Sequence, residues 1–225
     1  MLGNYLLYCI VPLILGIWAQ AKVTGAFRKY SQIRASSGLT GAQAAREIMD
    51  AAQIHDVDIV QINGMLGDHY DPTQKRLCLS TETYNSPSIA AVGVAAHETG
   101  HAIQHARAYA PLQLRMAIVP VTQIASRIIP YIFIAGFLFG LGMITIKIGI
   151  LCFVVLTAFQ LITLPVEYDA SRRAKIVLGQ LGIIQPGAEA AGVDAVLDAA
   201  ALTYLAAFIA SLGQLLWLLS LNRRR

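Results

Sequence analysis

The sequence predicts a mostly α-helical membrane protein, with about four transmembrane helices and a small α+β domain between the first and the second. Its residues are 56% hydrophobic and only 13% charged, whereas soluble domains carry about 25% charged residues. Four apolar stretches are each long enough to cross a bilayer. Residues 22–115 form the only long stretch with the mixed polarity of a soluble domain.

The first apolar stretch runs from Leu2 to Ala21 and contains no charged residue. A signal peptide is one interpretation, since Ala19-Gln20-Ala21 resembles a cleavage site. However, no basic residue precedes the stretch and four follow it: Lys22, Arg28, Lys29 and Arg34. We therefore expect residues 1–21 to form an uncleaved N-terminal transmembrane anchor.

The later apolar stretches predict three more membrane helices. Residues 116–165 are long enough for two, and Lys147 is the expected break between a helix ending near Ile146 and one running to Leu164. Residues 166–198 then form a more polar helix and connector. Residues 199–225 predict a C-terminal transmembrane helix and a basic tail.

The polar stretch 22–115 carries signals for both helices and strands. Thr40 can cap an amphipathic helix over residues 42–53, and residues 57–62 and 76–80 are typical of short strands. Between them, Asp68-His69-Tyr70-Asp71 contains several potential metal ligands, but it is more typical of a turn. Ser86-Pro87-Ser88 then predicts the start of an alanine-rich helix.

That alanine-rich helix contains His97-Glu98-Thr99-Gly100-His101, an HExxH pattern. Residues i and i+4 share a helix face, so the two histidines can bind one tetrahedral zinc, and Glu98 can reach a metal-bound water. The alternative is a polar turn that binds no metal, but buried histidine and glutamate side chains need partners. His105 lies about 12 Å along the axis from His97 and is left out of the ligand set.

A catalytic zinc usually has three protein ligands, so a third must come from elsewhere. Glu167 directly follows the third apolar run, which is the gluzincin arrangement of a downstream glutamate. Asp169 is the rival ligand. The alternative interpretation is an acidic and basic cluster at the membrane interface that binds no metal.

Five ordered motifs resemble the YugP-like neutral zinc metallopeptidases: SSGLTGAQAAREIMDAAQI, GDHYDPTQKRLCLS, YNSPSIAAVGVAAHETGHAIQH, EYDASRRA and VLDAAALTYLA. The resemblance implies a zincin-like domain, with His97, His101 and Glu167 binding one zinc per chain and Glu98 as general base. Better-known membrane relatives carry an aspartate four residues after the ligand glutamate, where this chain has Ser171. If that aspartate supports a ligand histidine, then Ser171, Asp169 or Asp198 must replace it here.

These features predict a membrane-embedded zinc endopeptidase that hydrolyses peptide bonds in peptide or protein substrates, membrane-associated ones included. Tyr204, Arg172 and Arg173 are candidates for stabilising the oxyanion. Divalent-metal transport, or a zinc-stabilised membrane scaffold without protease activity, is the alternative. The expected partner besides substrate is the lipid bilayer; no nucleic-acid-binding motif is present, and the sequence does not predict the oligomeric state.

Four spans place the polar domain and the Glu167 segment on the same side of the membrane. Most basic residues near the spans lie on that side, and the positive-inside rule then predicts that the site faces the cytoplasm of a bacterial inner (plasma) membrane. Lys147 and the C-terminal arginines favour the opposite orientation.

Overall fold

A computed structural model describes residues 6–64 and 67–223, so residues 1–5 of the predicted anchor and the last two arginines of the predicted tail lie outside the described residues. A π-helical turn, Leu6–Ile10, leads into the first helix. The elements in chain order are α1 (Val11–Tyr30), α2 (Gly41–Ala51), β1 (Asp58–Ile62), β2 (His69–Asp71), β3 (Arg76–Ser80), α3 (Thr81–Asn85), α4 (Ile89–Ala106), α5 (Ala110–Leu138), α6 (Gly142–Gln180) and α7 (Ala188–Asn222). The predicted fold class is confirmed.

Among the described residues, four helices are long and apolar enough to cross a membrane: α1 with its π-helical turn, α5, α6 and α7. α6 has 39 residues and is therefore about 58 Å long, roughly twice the thickness of the hydrocarbon core. Only part of α6 can lie within the bilayer. Its C-terminal part is available to a domain outside it.

The predicted break at Lys147 is wrong. The chain turns at residues 139–141, where Gly140 has a φ of +66°, and Lys147 lies within the continuous helix α6. A glycine in the left-handed conformation ends a helix readily. A lysine interrupts apolarity but has a high helix propensity, so it does not interrupt a helix.

The described chain divides into two compact units, each built from segments distant in sequence. The helical unit comprises residues up to Gln20, Gln113–Pro165 and Leu202 onwards. Within it, the hydroxyls of Thr122 and Thr145 each donate to the backbone carbonyl four residues earlier, that of Ile118 and that of Leu141. These local bonds satisfy polar groups where a bilayer offers no partner.

The α+β unit comprises Ala21–Leu112 and Val166–Ala201. Its sheet has the strand order β1-β3-β2, with β1 parallel and β2 antiparallel to β3. The sequence predicted β1 and β3 but assigned residues 69–71 to a turn. β2 has three residues, too few for an alternating pattern to be recognised.

Helix α4 is the centre of the α+β unit. The small side chains of α4 allow other elements to pack closely against this helix. One of the other helices of the unit, α2, begins at a reciprocal capping box formed by Thr40 and Gln43. In α4, Val92 and Ala96 belong to one buried apolar cluster and Ala95 to a second. The helix that carries the two histidines is therefore held on several faces.

Candidate metal centre

The HExxH residues lie in the C-terminal half of α4, which begins at the N-cap residue Ser88. His97 and His101 are each 8% exposed, and their rings are nearly perpendicular, with centroids 4.9 Å apart. The i, i+4 spacing therefore places two imidazoles side by side in a buried setting, as the sequence predicts.

Glu167, on α6, completes the cluster and is 2% exposed. Its Oε2 lies 3.2 Å from Nε2 of His97 and 3.5 Å from Nε2 of His101. Gly100 permits this approach, because a Cβ added there would lie 2.7 Å from the carbonyl oxygen of Ala170. The middle of the HExxH pattern thus lets the backbones of α4 and α6 touch.

The cluster has the dimensions of a zinc site. Bond lengths of about 2.0–2.1 Å in a tetrahedral zinc complex place neighbouring ligand atoms about 3.3 Å apart, which matches both histidine–glutamate distances. Within the described residues, His97, His101 and Glu167 form the group that could hold a metal ion. Two nitrogens and one oxygen would supply three ligands to a bound zinc, the number that catalytic zinc sites usually take from the protein.

The electrostatics of His101 favour a cation at this place. Burial lowers the pKa of His101, but the hydrogen bond to Glu167 and its negative charge outweigh burial and raise the pKa above its ordinary value. A proton or a metal ion is therefore stabilised between Nε2 and the carboxylate.

The three residues that could replace the missing aspartate have different partners. The Ser171 hydroxyl lies 3.0 Å from Nδ1 of His97, so Ser171 is the one in direct contact with a histidine of the candidate metal centre. Asp169 accepts a hydrogen bond from the carboxamide of Gln104, whereas Asp198 forms an ion pair with Lys175. Asp169, the rival ligand, is thus engaged with groups other than the histidine nitrogens.

Glu98 is half-buried beside the cluster. The backbone N–H of Tyr70, in the edge strand β2, donates to Oε2 of Glu98 over 3.1 Å. Burial raises the pKa of Glu98, and this effect exceeds the lowering by the charges of His97 and His101. A carboxylate with a raised pKa, held in one orientation, is suited to accept and return a proton.

His105 is outside the metal-ligand cluster, and its Nδ1 lies 2.8 Å from the Tyr70 hydroxyl. Burial, followed by the charges of Asp56 and Asp71, raises the pKa of Tyr70 to about 12. The hydroxyl therefore stays protonated at neutral pH. Tyr70 contacts α4 twice, through its backbone at Glu98 and through its ring at His105.

The remaining polar residues singled out in the sequence have structural partners. Asp68 accepts from the backbone and hydroxyl of Ser80, and Asp71 accepts from two backbone N–H groups of the following turn. Both oxyanion candidates on α6, Arg172 and Arg173, form ion pairs with Asp169. The third, Tyr204, belongs to the helical unit.

Two residues that contribute to the site, Gln104 and Tyr70, were not predicted from the sequence to do so. Gln104 follows His101 by three residues, and this spacing alone could have placed it on the same helix face. Tyr70 contributes a backbone N–H, which side-chain identity does not reveal. Sequence patterns show which side chains share a face, but they do not show a contact made by the main chain.

Similarity to known proteins covers almost the whole chain. The family described as "Putative neutral zinc metallopeptidase" matches residues 5–223. The chain belongs to this family. It is also 47% identical over 212 residues, 94% of this chain and 93% of the relative, to "Putative membrane protease YugP" of Bacillus subtilis (strain 168). No solved structure matches the chain.

Proposed function

We propose that this family member is a membrane-embedded, zinc-dependent endopeptidase. The observation that carries the proposal is the convergence of His97, His101 and Glu167, with Glu98 on the same helix as the two histidines. Family membership and the membrane-protease relative support the same conclusion. A structural zinc site is normally closed by four protein ligands and has no need of a base, so this arrangement favours catalysis over a scaffold.

Within this proposal His97, His101 and Glu167 would hold one zinc per chain. The chemistry that a bound zinc supplies is Lewis-acid activation of the attacking water and of the scissile carbonyl. Glu98 accepts a proton at its carboxylate and later donates it to the leaving amine. Tyr70 orients Glu98 through its backbone N–H, and the burial of the cluster excludes competing water.

The proposed substrate is a peptide or protein, with membrane-associated chains favoured. Glu167 follows Leu164 by three residues in the same continuous helix, a rise of about 4.5 Å. The third ligand therefore lies close to the end of an apolar membrane stretch. We propose further that the site faces the cytoplasm of a bacterial inner membrane, because most juxtamembrane lysines and arginines lie on the side of the α+β unit.

The decisive experiment measures zinc in the detergent-purified protein by elemental mass spectrometry. We expect about one zinc per chain in wild type and in Glu98→Gln, and much less in folded Glu167→Ala, because that change removes one of three ligands. Glu47→Gln, at an exposed position of α2, is the control for charge removal. Full zinc in Glu167→Ala, or none in wild type, would overturn the proposed metal centre.

Activity is then tested with a fluorescence-quenched unfolded protein such as casein in the same detergent. Wild type should cleave it in a zinc-dependent manner, and Glu98→Gln should retain zinc but lose at least about a hundredfold in rate. Zinc-loaded Glu98→Gln with wild-type activity would exclude Glu98 as the base. A protein that binds zinc but cleaves no substrate would return the transport and scaffold alternatives to consideration.

A further inference from the structure

Gln104 is a completely buried polar residue that the proposed chemistry does not use. It is 0% exposed and lies on α4, one turn after His101. Its Oε1 is 3.0 Å from Nδ1 of His101. Its Nε2 donates to the carbonyl of Val166 over 2.8 Å and to Oδ2 of Asp169 over 2.9 Å. One carboxamide therefore connects a ligand histidine to the segment of α6 that carries Glu167.

The hydrogen atoms in this network have only one consistent arrangement. A carboxamide has two N–H donors, and both are used by groups that can only accept, a carbonyl and a carboxylate. The atom facing His101 must then be the acceptor Oε1, so Nδ1 of His101 carries the hydrogen. A neutral His101 consequently presents the lone pair of Nε2 towards Glu167.

That lone pair lies 3.5 Å from the Oε2 atom of Glu167, which is also an acceptor. Two acceptors facing each other in a buried site repel unless a cation lies between them. The orientation of Gln104 therefore directs Nε2 of His101 towards Glu167, at a place where a cation, either a metal ion or a proton, must lie between the two atoms.

Asp169 is itself fixed, which gives Gln104 a firm anchor. Arg172 donates to its Oδ1 over 2.7 Å, and Arg173 donates to its Oδ2. The guanidinium of Arg173 also stacks 5.6 Å from the ring centroid of Tyr109. The Tyr109 backbone N–H in turn donates to the backbone carbonyl of Gln104. The series of contacts therefore begins and ends at Gln104.

We propose that Gln104, anchored by Asp169, is a positioning residue for zinc: it holds His101 in the tautomer and orientation that present Nε2 to the metal. This inference rests on the proposed metal centre. The two ligand histidines then have different supports, a hydroxyl for His97 and a carboxamide for His101. Such outer partners typically contribute about tenfold to a hundredfold to metal affinity.

The test compares Gln104→Met, which removes the acceptor at similar volume, with Gln104→Glu, which keeps an acceptor facing His101. Glutamate would place its second oxygen against Val166 and Asp169, so it should lower stability more than methionine does. Thr99→Val is the matched control, because Thr99 is a buried hydroxyl of the same helix that donates to the Ala95 carbonyl. Zinc affinity is measured by competition with a chromophoric chelator in detergent, and thermal stability is measured in EDTA.

We expect zinc affinity to fall at least about tenfold in Gln104→Met and to stay within about threefold of wild type in Gln104→Glu and Thr99→Val. Thermal stability in EDTA should have the opposite order, with Gln104→Glu less stable than Gln104→Met. If the two Gln104 variants have the same order in zinc affinity as in thermal stability, or if Gln104→Met binds zinc like wild type, the positioning role is wrong while the metal centre stands. If Gln104→Glu does not fold, the zinc affinity of Gln104→Met relative to Thr99→Val still decides. Wild type that binds no zinc would overturn both proposals.

Discussion

Replacing Gly100 with alanine tests whether the close approach of α4 and α6 creates the metal-ligand cluster. An added Cβ would lie 2.7 Å from the carbonyl oxygen of Ala170, whereas ordinary van der Waals contact begins at 3.4 Å. Both partners belong to helices, and packed interiors have little free space. The two helices must therefore separate by about 0.7 Å, the difference between these distances.

That separation would move the histidine nitrogens from 3.2 and 3.5 Å to about 4 Å from Glu167, past the spacing of about 3.3 Å that zinc requires. Metal–ligand distances tolerate changes of only about 0.2 Å. We therefore expect Gly100→Ala to weaken zinc binding at least about tenfold, equivalent to about 1.4 kcal/mol. The unfolding free energy without zinc should fall by only about 0–2 kcal/mol, because overpacking costs about 1–3 kcal/mol and alanine's helix propensity offsets about 1 kcal/mol.

Zinc affinity is measured by chelator competition, and stability by thermal unfolding in EDTA. Gly93→Ala is the matched control on the same helix, since its Cβ would meet Val193 at an ordinary 3.5 Å. This control should keep the zinc affinity of wild type. A zinc affinity of Gly100→Ala within about threefold of wild type would refute the view that this backbone contact sets the ligand spacing.

Three further predictions concern the same unit. Ser171→Ala should weaken zinc binding about tenfold, because it removes the partner of His97, and Ser171→Asp should restore it in the same chelator assay; equal affinity in all three proteins would contradict this role. Since folding raises the pKa of Tyr70 to about 12, the proton on Tyr70 contributes stability that is present below about pH 10 and is lost as the pH rises through about 12; unfolding curves of wild type should show this loss and those of Tyr70→Phe should lack it. Zinc at about a hundred times its dissociation constant should stabilise wild type by about 2.7 kcal/mol relative to EDTA, with no such effect in Glu167→Ala; a zinc-dependent shift of that size in the variant would show that Glu167 is dispensable.

Much of the architecture could be predicted from local composition. Long apolar stretches indicate membrane helices because about 20 consecutive, predominantly apolar residues are needed to cross a bilayer. The helix cap at Thr40 and the strands at residues 58–62 and 76–80 also follow from local residue preferences. The errors occurred where local preference is weak: β2 is too short to show alternation, and the turn at Gly140 depends on backbone conformation rather than on the charge of Lys147.

For the candidate site, too, some features follow from the sequence and others were left open by it. The i, i+4 relation of His97 and His101 is a property of any helix, so their shared face follows from the sequence. Asp169 and Glu167 are two residues apart, and the sequence ranked Glu167 first without being able to place either beside the histidines. Which of Ser171, Asp169 and Asp198 would meet a ligand histidine also stayed open, because all three follow the motif in segments distant from it.

The sequence by itself determined that this chain is a helical membrane protein with a metal-binding pattern on one helix, because hydrophobicity and helical periodicity act over a few turns. Only the tertiary structure decided that Glu167 reaches both histidines, that Ser171 contacts one and Gln104 the other, and that the backbone N–H of Tyr70 donates to Glu98. Apart from the hydrogen bond between Gln104 and His101 within α4, these contacts join residues 28 to 74 positions apart in the sequence. They depend on how closely α4 and α6 pack, and the glycine at residue 100 leaves room for that approach.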